Sequence, residues 1–314
     1  MHSRIGLFSA ALLMLFLQPL AWPADPVAVL TEIRMGQDEV WVRQAGDGEW
    51  MEARPLLALL PGDQIRTTGN GQAVLCFTGG GTQTVSSANS PFTVRAPTAE
   101  AGMEKVGALV GRVTQFLLGQ SKSPTYRPLA VRRLLQPVIL SPRETRLLPG
   151  PVTFEWSGSE RLRYSIRVRG PQGLVWEQAQ LPRQSLSYPE AAPALGTGVP
   201  YTWELQAKGH PVQRAQFELL PSSEVASVQA ALALLQPGTL VGYPPNTVVL
   251  LRAGLLFREG IYQEARRELL AAIASDPTEP TLHLLLGHVY DRTGLQELAA
   301  EAFEEARGLS TPKP

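Results

Sequence analysis

Three consecutive glycines, Gly79 to Gly81, separate two apolar runs in the segment CFTGGGTQTV and raise the question of a phosphate loop or an oxyanion site. A dinucleotide-binding loop needs the spacing G-x-G-x-x-G before a helix, and a P-loop needs Gly-Lys-Ser/Thr. Here the β-branched stretch TQTV follows, without a lysine. The triplet therefore predicts a hairpin turn between strands 73–78 and 82–86, in which glycine supplies positive φ.

The other residues with chemical potential form no catalytic or metal-binding pattern. His283 and His288 are five residues apart and belong to no H-E-x-x-H or Cys-His cluster, which argues against zinc. Cys76 is the only cysteine, and its apolar neighbours predict a buried thiol. No nucleophile-elbow, kinase or penicilloyl-serine motif occurs, so a hydrolase using Asp63 or Glu155 is the catalytic alternative. The prediction is a non-enzymatic protein without metal or cofactor.

The elements that carry these residues belong to a chain of ordinary globular composition. Its 314 residues suffice for two or three domains, with 44% hydrophobic and 18% charged residues. The net charge of zero divides into about −2 in residues 1–97, about +6 in 98–221 and about −4 in 222–314. No run is dense in lysine and arginine, which argues against nucleic acid as a partner.

Residues 1–24 have the pattern of an export signal peptide. Arg4 precedes an apolar run over 5–17, and the small residue Ala24 follows. Because the run is short for a membrane-spanning helix, the sequence predicts cleavage after Ala24 and a periplasmic protein. The alternative is an uncleaved N-terminal anchor with the folded part facing the periplasm.

Residues 27–97 predict an all-β module, since apolar and polar residues alternate and turn signals recur about every 8–12 residues. The segment LPGDQIRTTGNGQAVLCFTGGGTQTV resembles the FecR-like domain, which is associated with extracytoplasmic signalling or envelope binding and has no catalytic residue. The matching residues are Pro61, Gly62, Asp63, Thr67, Gly71, Ala73, Leu75, Phe77 and Gly80. A departure is Gly79-Gly80, where the family commonly has Asp-Gly. At the Gly-Asp turn, the side chain of Asp63 is expected to accept backbone N–H groups.

Residues 98–136 predict an amphipathic helix over 99–120 followed by a linker. Apolar residues recur there at three- and four-residue steps: Met103, Val106, Val110, Val113, Leu117 and Leu118. With only Lys105 and Arg112 as cations, the helix is expected to dock on the β module. A membrane-surface helix is the alternative.

Residues 137–221 predict about seven short strands in a layout similar to fibronectin type III and immunoglobulin-like sandwiches. Trp156 and Trp203 are expected in the core on facing sheets; the alternative is that they are exposed and bind a ligand.

Four arginines of this module lie at alternating positions opposite apolar residues: Arg161, Arg163, Arg167 and Arg169. They predict a basic sheet face. Such a face is either merely solvated or contacts an acidic partner, lipid phosphates or a cell-wall polymer.

Residues 222–314 predict an additional helix at Glu224 to Leu235 and two copies of a 34-residue helix-turn-helix. Gly260 and Gly294 correspond between the copies, and the period resembles the tetratricopeptide repeat. Because two copies are fewer than an independent solenoid needs, the helices are expected to pack on a neighbouring module or another chain.

The resemblance implies a concave face, formed by the first helix of each repeat, that binds a peptide or protein. By matched position its residues are Leu250, Phe257, Arg258, Leu284, His288, Asp291 and Arg292. The competing interpretation is that the repeats only hold the C-terminal region together.

Taken together, these features predict an exported, non-enzymatic envelope adaptor that recruits a membrane or envelope protein. The alternatives are a FecR-type periplasmic sensor-regulator component and a cell-wall polysaccharide binder.

Overall fold

The computed structural model of the 314-residue chain describes residues 25–34, 39–95, 104–124, 136–182 and 184–311. The predicted signal peptide and Met103 lie outside these ranges. β-Sheets occupy much of the N-terminal part and helices the C-terminal region, so the chain is a β plus α multidomain protein.

The first part of the chain forms two four-stranded sheets around one apolar core. The strands are β1 (Ala28–Arg34), β2 (Val40–Arg43), β3 (Met51–Glu52), β4 (Ala58–Leu59), β5 (Gln64–Thr67), β6 (Gln72–Phe77), β7 (Thr82–Val85) and β8 (Phe92–Thr93). Sheet 1 has the order β4-β1-β6-β7 and sheet 2 the order β3-β2-β5-β8. The glycine triplet turns the β6–β7 hairpin, with φ of 94° at Gly80 and 85° at Gly81, as predicted.

Sheet 1 is covered on both faces. On β6, Ala73 and Leu75 belong to the core between the two sheets, whereas Cys76 belongs to a second core shared with the helices. On β1, Leu30 belongs to the core between the two sheets and Val29 to the core shared with the helices. A strand buried on both faces has a continuous apolar sequence instead of an alternating one, and AVLCF has this form.

The helix predicted over 99–120 is α1 (Glu104–Leu118); residues 99–103 lie outside the described ranges. Its apolar residues Val106, Val110, Val113 and Leu117 are buried. The helix contacts β1 and β6 of sheet 1 on one side and the C-terminal helices on the other. It therefore lies between the first β module and the repeats.

A second sandwich follows, built from eight strands. They are β9 (Val138–Ser141), β10 (Thr145–Leu147), β11 (Thr153–Ser157), β12 (Tyr164–Gly170), β13 (Gly173–Leu181), β14 (Ser185–Ser187), β15 (Pro200–Ala207) and β16 (Gln213–Leu219). A five-stranded sheet has the order β10-β16-β15-β12-β13, and a three-stranded sheet the order β14-β11-β9. Trp156 and Trp203 lie on opposite sheets and are buried in the shared core, which confirms the predicted core position.

Five helices form the C-terminal region: α2 (Ser222–Leu234), α3 (Pro245–Arg258), α4 (Tyr262–Ser275), α5 (Pro280–Arg292) and α6 (Gln296–Leu309). The C-terminal ends of α3 and α5 are 34 residues apart, and so are both the first and the last residues of α4 and α6. Gly260 and Gly294 lie in the two inter-helix turns with φ of 77° and 72°, a conformation that favours glycine. One apolar core joins these helices, α1 and the outer face of sheet 1.

Candidate functional site

The side chains predicted for the concave face divide into buried and exposed groups. Leu250, Phe257, Leu284 and His288 are buried, at 0%, 7%, 5% and 8% exposure. Arg258 is half-buried and is ion-paired to Glu259 at 2.7 Å. The other two, Asp291 and Arg292, are exposed. The face formed by the first helix of each repeat is therefore covered, and other segments of the same chain cover it.

Helix α1 covers the face on α3. The ring of Phe116 packs edge-on against Phe257, with the centroids 5.3 Å apart. Val113 and Leu117 lie directly over Gly254, where a Cβ would come within 3.0 Å of each side chain. The close approach of the two helices thus depends on the absence of a side chain at Gly254.

His288 on α5 binds the segment that follows α1. Its Nε2 donates to the carbonyl oxygen of Gln120 at 2.7 Å, and its ring packs edge-on against Phe303 with centroids 4.9 Å apart. Burial lowers the pKa of His288, so the neutral imidazole with its proton on Nε2 fits this contact. His288 therefore anchors the chain's own backbone.

Strand β1 is bound at the N-terminal ends of α3 and α5. Glu32 accepts from the backbone N–H of Thr247 at 2.8 Å and from its hydroxyl at 2.7 Å. Glu279 is the N-cap of α5, accepting from Thr281 N–H at 3.0 Å, and it also accepts from Ile33 N–H of β1 at 3.1 Å. Helix N-termini favour carboxylates because their first N–H groups lack intrahelical partners.

This junction holds two buried carboxyl side chains, Glu32 and Glu279, each only 1% exposed. Burial is the main cause that raises the pKa of Glu279 to about 8; the nearby carboxylate of Glu32 contributes to this rise, and the hydrogen bonds from Thr281 and Ile33 oppose it. At the rim, the Arg34 guanidinium lies 3.4 Å from Asp276 and 3.6 Å from Glu32. The Arg34 guanidinium offsets part of the negative charge of Glu32 and Asp276.

Two arginines of the second sandwich reach the opposite ends of the same helices. Arg146 donates through its backbone N–H to Gly260 O at 2.9 Å and through Nη1 to Glu259 O at 3.4 Å. Arg143 donates through Nε to Thr293 O at 2.5 Å. Cations near a helix C-terminus interact favourably with its carbonyl groups and dipole. Both repeats are thus held at one end by β1 and at the other by strand β10 of the second sandwich and the loop before it.

The predicted arginine row does not form one surface. Arg161 and Arg163 precede β12, which begins at Tyr164. Arg167 pairs with Glu177 at 3.2 Å. Glu204 receives Arg214 at 2.9 Å and Arg169 at 3.6 Å, and the hydrogen bond from Arg214 is the main cause of its lowered pKa. The sheet face consequently carries both signs of charge.

The candidate catalytic carboxylates have structural partners. Asp63 accepts from the backbone N–H groups of Ala45 and Leu60, each at 2.8 Å, as predicted for the Gly-Asp turn. Glu155 forms an ion pair with Arg266 at 2.8 Å.

Burial raises the pKa of the Cys76 thiol to about 12, which suppresses the reactive thiolate. Within the described ranges, no group of three or more His, Cys, Asp or Glu side chains is arranged to hold a metal ion. An open hollow of about 580 Å³ at one end of the second sandwich has Glu190 as its single charged lining residue.

Sequence reasoning missed two features. Glu32 and Glu279 were not singled out, although a carboxylate inside the apolar run AVLTEI and a Glu directly before Pro280 at a helix start are detectable signals. The other feature is Trp50, whose ring contacts the guanidinium groups of Arg43 and Arg66, which lie 4.8 and 4.6 Å from the ring centroid.

Comparison of the chain with protein-family models and with curated proteins finds no match. No helix in the described part of the chain has the length and apolar character needed to cross a membrane.

Proposed function

We propose that this chain is an exported, non-enzymatic adaptor of the cell envelope. In this proposal residues 27–97 are a FecR-like module, 137–221 an immunoglobulin- or fibronectin-like sandwich, and 222–314 tetratricopeptide-like repeats. The paired sheets and the 34-residue spacing of the helix boundaries support these assignments.

The observation that carries the proposal is the Arg43–Trp50–Arg66 stack on sheet 2. Tryptophan and arginine are the residue types most enriched among the side chains that dominate binding energy at protein interfaces. All three side chains are partly exposed. By contrast, Val29 and Cys76 on the outer face of sheet 1 are fully buried. Sheet 2 therefore offers the better surface for a protein partner, with carboxylates as suitable acceptors for the guanidinium groups.

The repeats have a different task in this proposal. A peptide could reach Phe257 and His288 only by displacing α1, so the repeats serve to hold the two β modules in a fixed relation. Partner recruitment is then the task of the outward surfaces of the β modules.

The same stack makes polysaccharide binding the weaker alternative. Sugar rings bind by stacking on a free aromatic face, and two guanidinium groups already lie over the ring of Trp50. Sedimentation with peptidoglycan that depends on Trp50 would favour that alternative over a protein partner.

The test is capture of partners from solubilised envelope with the full chain as bait, followed by affinity measurement for each captured protein. Trp50→Ala is expected to weaken a genuine partner at least about 30-fold, since a hot-spot side chain contributes roughly 2 kcal/mol. Arg307→Gln, an exposed arginine on α6, is the matched control and should bind normally. Equal affinity of both variants for every captured protein would refute the proposed surface.

Export is tested separately by cell fractionation and N-terminal sequencing. A periplasmic protein beginning at Asp25 is expected. A cytosolic protein beginning at Met1 would show that the chain is not exported and would refute an adaptor role in the cell envelope.

A further inference from the structure

One end of the second sandwich carries a cluster of basic side chains, which we call the basic tip: Arg161, Arg163, Lys208 and His210. The two arginines lie in the turn before β12, and Lys208 and His210 lie in the β15–β16 turn. Tyr164 is paired with Ala207 across the sheet, so the end of the first turn lies beside the start of the second. The fold thus brings together cations that are 45 residues apart in the chain.

The cations of the basic tip form no ion pair with the described residues, whereas the arginines of the adjacent sheet face do. Among the ion pairs of the described residues, none involves Arg161, Arg163 or Lys208, and all three are exposed. Glu160 is the single carboxylate of the two turns, 158–163 and 208–212. Arg167 and Arg169, on the same strand segment, are paired to carboxylates.

The composition of the basic tip selects one class of partner. Protein interfaces centre on buried aromatic or apolar anchors; neither turn contains Phe, Tyr or Trp, and Val212, at 38% exposure, is the one large apolar side chain exposed in them. Clustered, exposed cations are attracted instead to a dense layer of phosphate charge, without specific contacts.

We propose that the basic tip docks on the phosphate groups of an anionic lipid membrane. This surface is separate from the Trp50 stack, and the inference goes beyond the proposed adaptor function by assigning the membrane itself as a second attachment point. Neither proposal requires the other to be correct.

The experiment measures flotation of the purified full chain with vesicles of phosphatidylcholine alone and of phosphatidylcholine with phosphatidylglycerol, at low and high salt. Selective binding to the anionic vesicles, lost at high salt, is expected. Removing a cation should weaken partitioning about fivefold, the equivalent of about 1 kcal/mol per charge. The triple variant Arg161→Gln/Arg163→Gln/Lys208→Gln should therefore lose about two orders of magnitude.

The matched control is Arg167→Gln/Arg169→Gln, which removes two positive charges from the neighbouring sheet face and should change partitioning less than twofold. Thermal melting of each variant verifies that it is folded. The residues 5–17 would bind both vesicle types alike, so the difference between vesicles reports the basic tip.

Four results would overturn the proposal. Equal binding to neutral vesicles, or equal losses in tip and control variants, would show that the tip has no specific role. Complete competition by millimolar inorganic phosphate would indicate a site for the free ion. Preferential binding of soluble polyglutamate would indicate an acidic protein as the partner.

Discussion

Glu32 and Glu279 show how single carboxylates attach a β-strand to a pair of helices. Each accepts from a helix N-terminal N–H group, and Glu279 also accepts from the backbone of β1. Breaking such a buried contact leaves unsatisfied donors, which costs about 1–3 kcal/mol for each group. The two residues therefore contribute to the position of β1 relative to the repeats.

Glu279 should make stability depend on pH. Its folded-state pKa of about 8 lies above the ordinary value of 4.5, so the folded state retains a proton that the unfolded chain releases. The stabilisation is fully present below pH 4.5 and is lost as the pH rises through 8. Between pH 5 and pH 8 the free energy of unfolding should fall by roughly 3 kcal/mol from this group.

Urea unfolding of Glu279→Gln at several pH values tests this prediction. The variant should be less stable at pH 5 but show a smaller decrease towards pH 8, since glutamine does not titrate. Glu301→Gln, at an exposed position on α6, should keep the wild-type pH dependence. An unchanged slope in Glu279→Gln would contradict the assignment.

At the scale of elements, α1 is fitted to the β6–β7 hairpin by glycines on both sides. A Cβ at Gly107 would lie 2.7 Å from the carbonyl oxygen of Gly79, and one at Gly111 would overlap that of Thr78. Gly80 in turn lies against the backbone of Gly107. The glycine triplet is thus both a turn and a surface on which a helix backbone rests.

Gly111→Ala should destabilise the protein by about 2 kcal/mol or more, because the new methyl group meets a backbone carbonyl that cannot move aside. This outcome opposes the intrinsic helix propensity, by which alanine is favoured over glycine by up to about 1 kcal/mol. Thermal or urea unfolding measures the difference.

Gly308→Ala is the control, since Gly308 is also helical and a Cβ there meets nothing within 4 Å. It should be neutral or stabilising. Equal effects of the two substitutions would contradict the close packing of α1 on the hairpin.

At the scale of the whole molecule, the two β modules differ in independence. The second sandwich has an apolar core of its own that includes Phe154, Trp156 and Trp203. The first module has a core between its sheets, but its outer face and α1 share the core of the helices. Removing the helices would therefore expose apolar surface on the first module.

A fragment of residues 136–221 should unfold cooperatively by itself, whereas a fragment of residues 25–124 should aggregate or bind a hydrophobic dye. Size-exclusion chromatography and near-ultraviolet circular dichroism distinguish the outcomes. A monomeric, cooperatively folded 25–124 fragment would show that the helices are dispensable for the first module.

Local features were predictable from the sequence because they depend on neighbouring residues. The β6–β7 turn followed from the glycine triplet, the core tryptophans from strand alternation, and the helix pairs from the 34-residue period. The helix over 99–120 was predicted with an apolar face, and α1 has that face buried.

The occupant of the repeat face was decided only by the tertiary structure. Residue patterns show that Phe257 and His288 lie on one side of their helices, and that α1 has an apolar side, but not which surfaces meet. That α1 and β1 cover the repeats depends on contacts between segments more than 100 residues apart, such as His288 with Gln120 and Glu32 with Thr247. Periodicity specifies that a face is to be buried, whereas complementary shape and charge between distant segments determine what buries it.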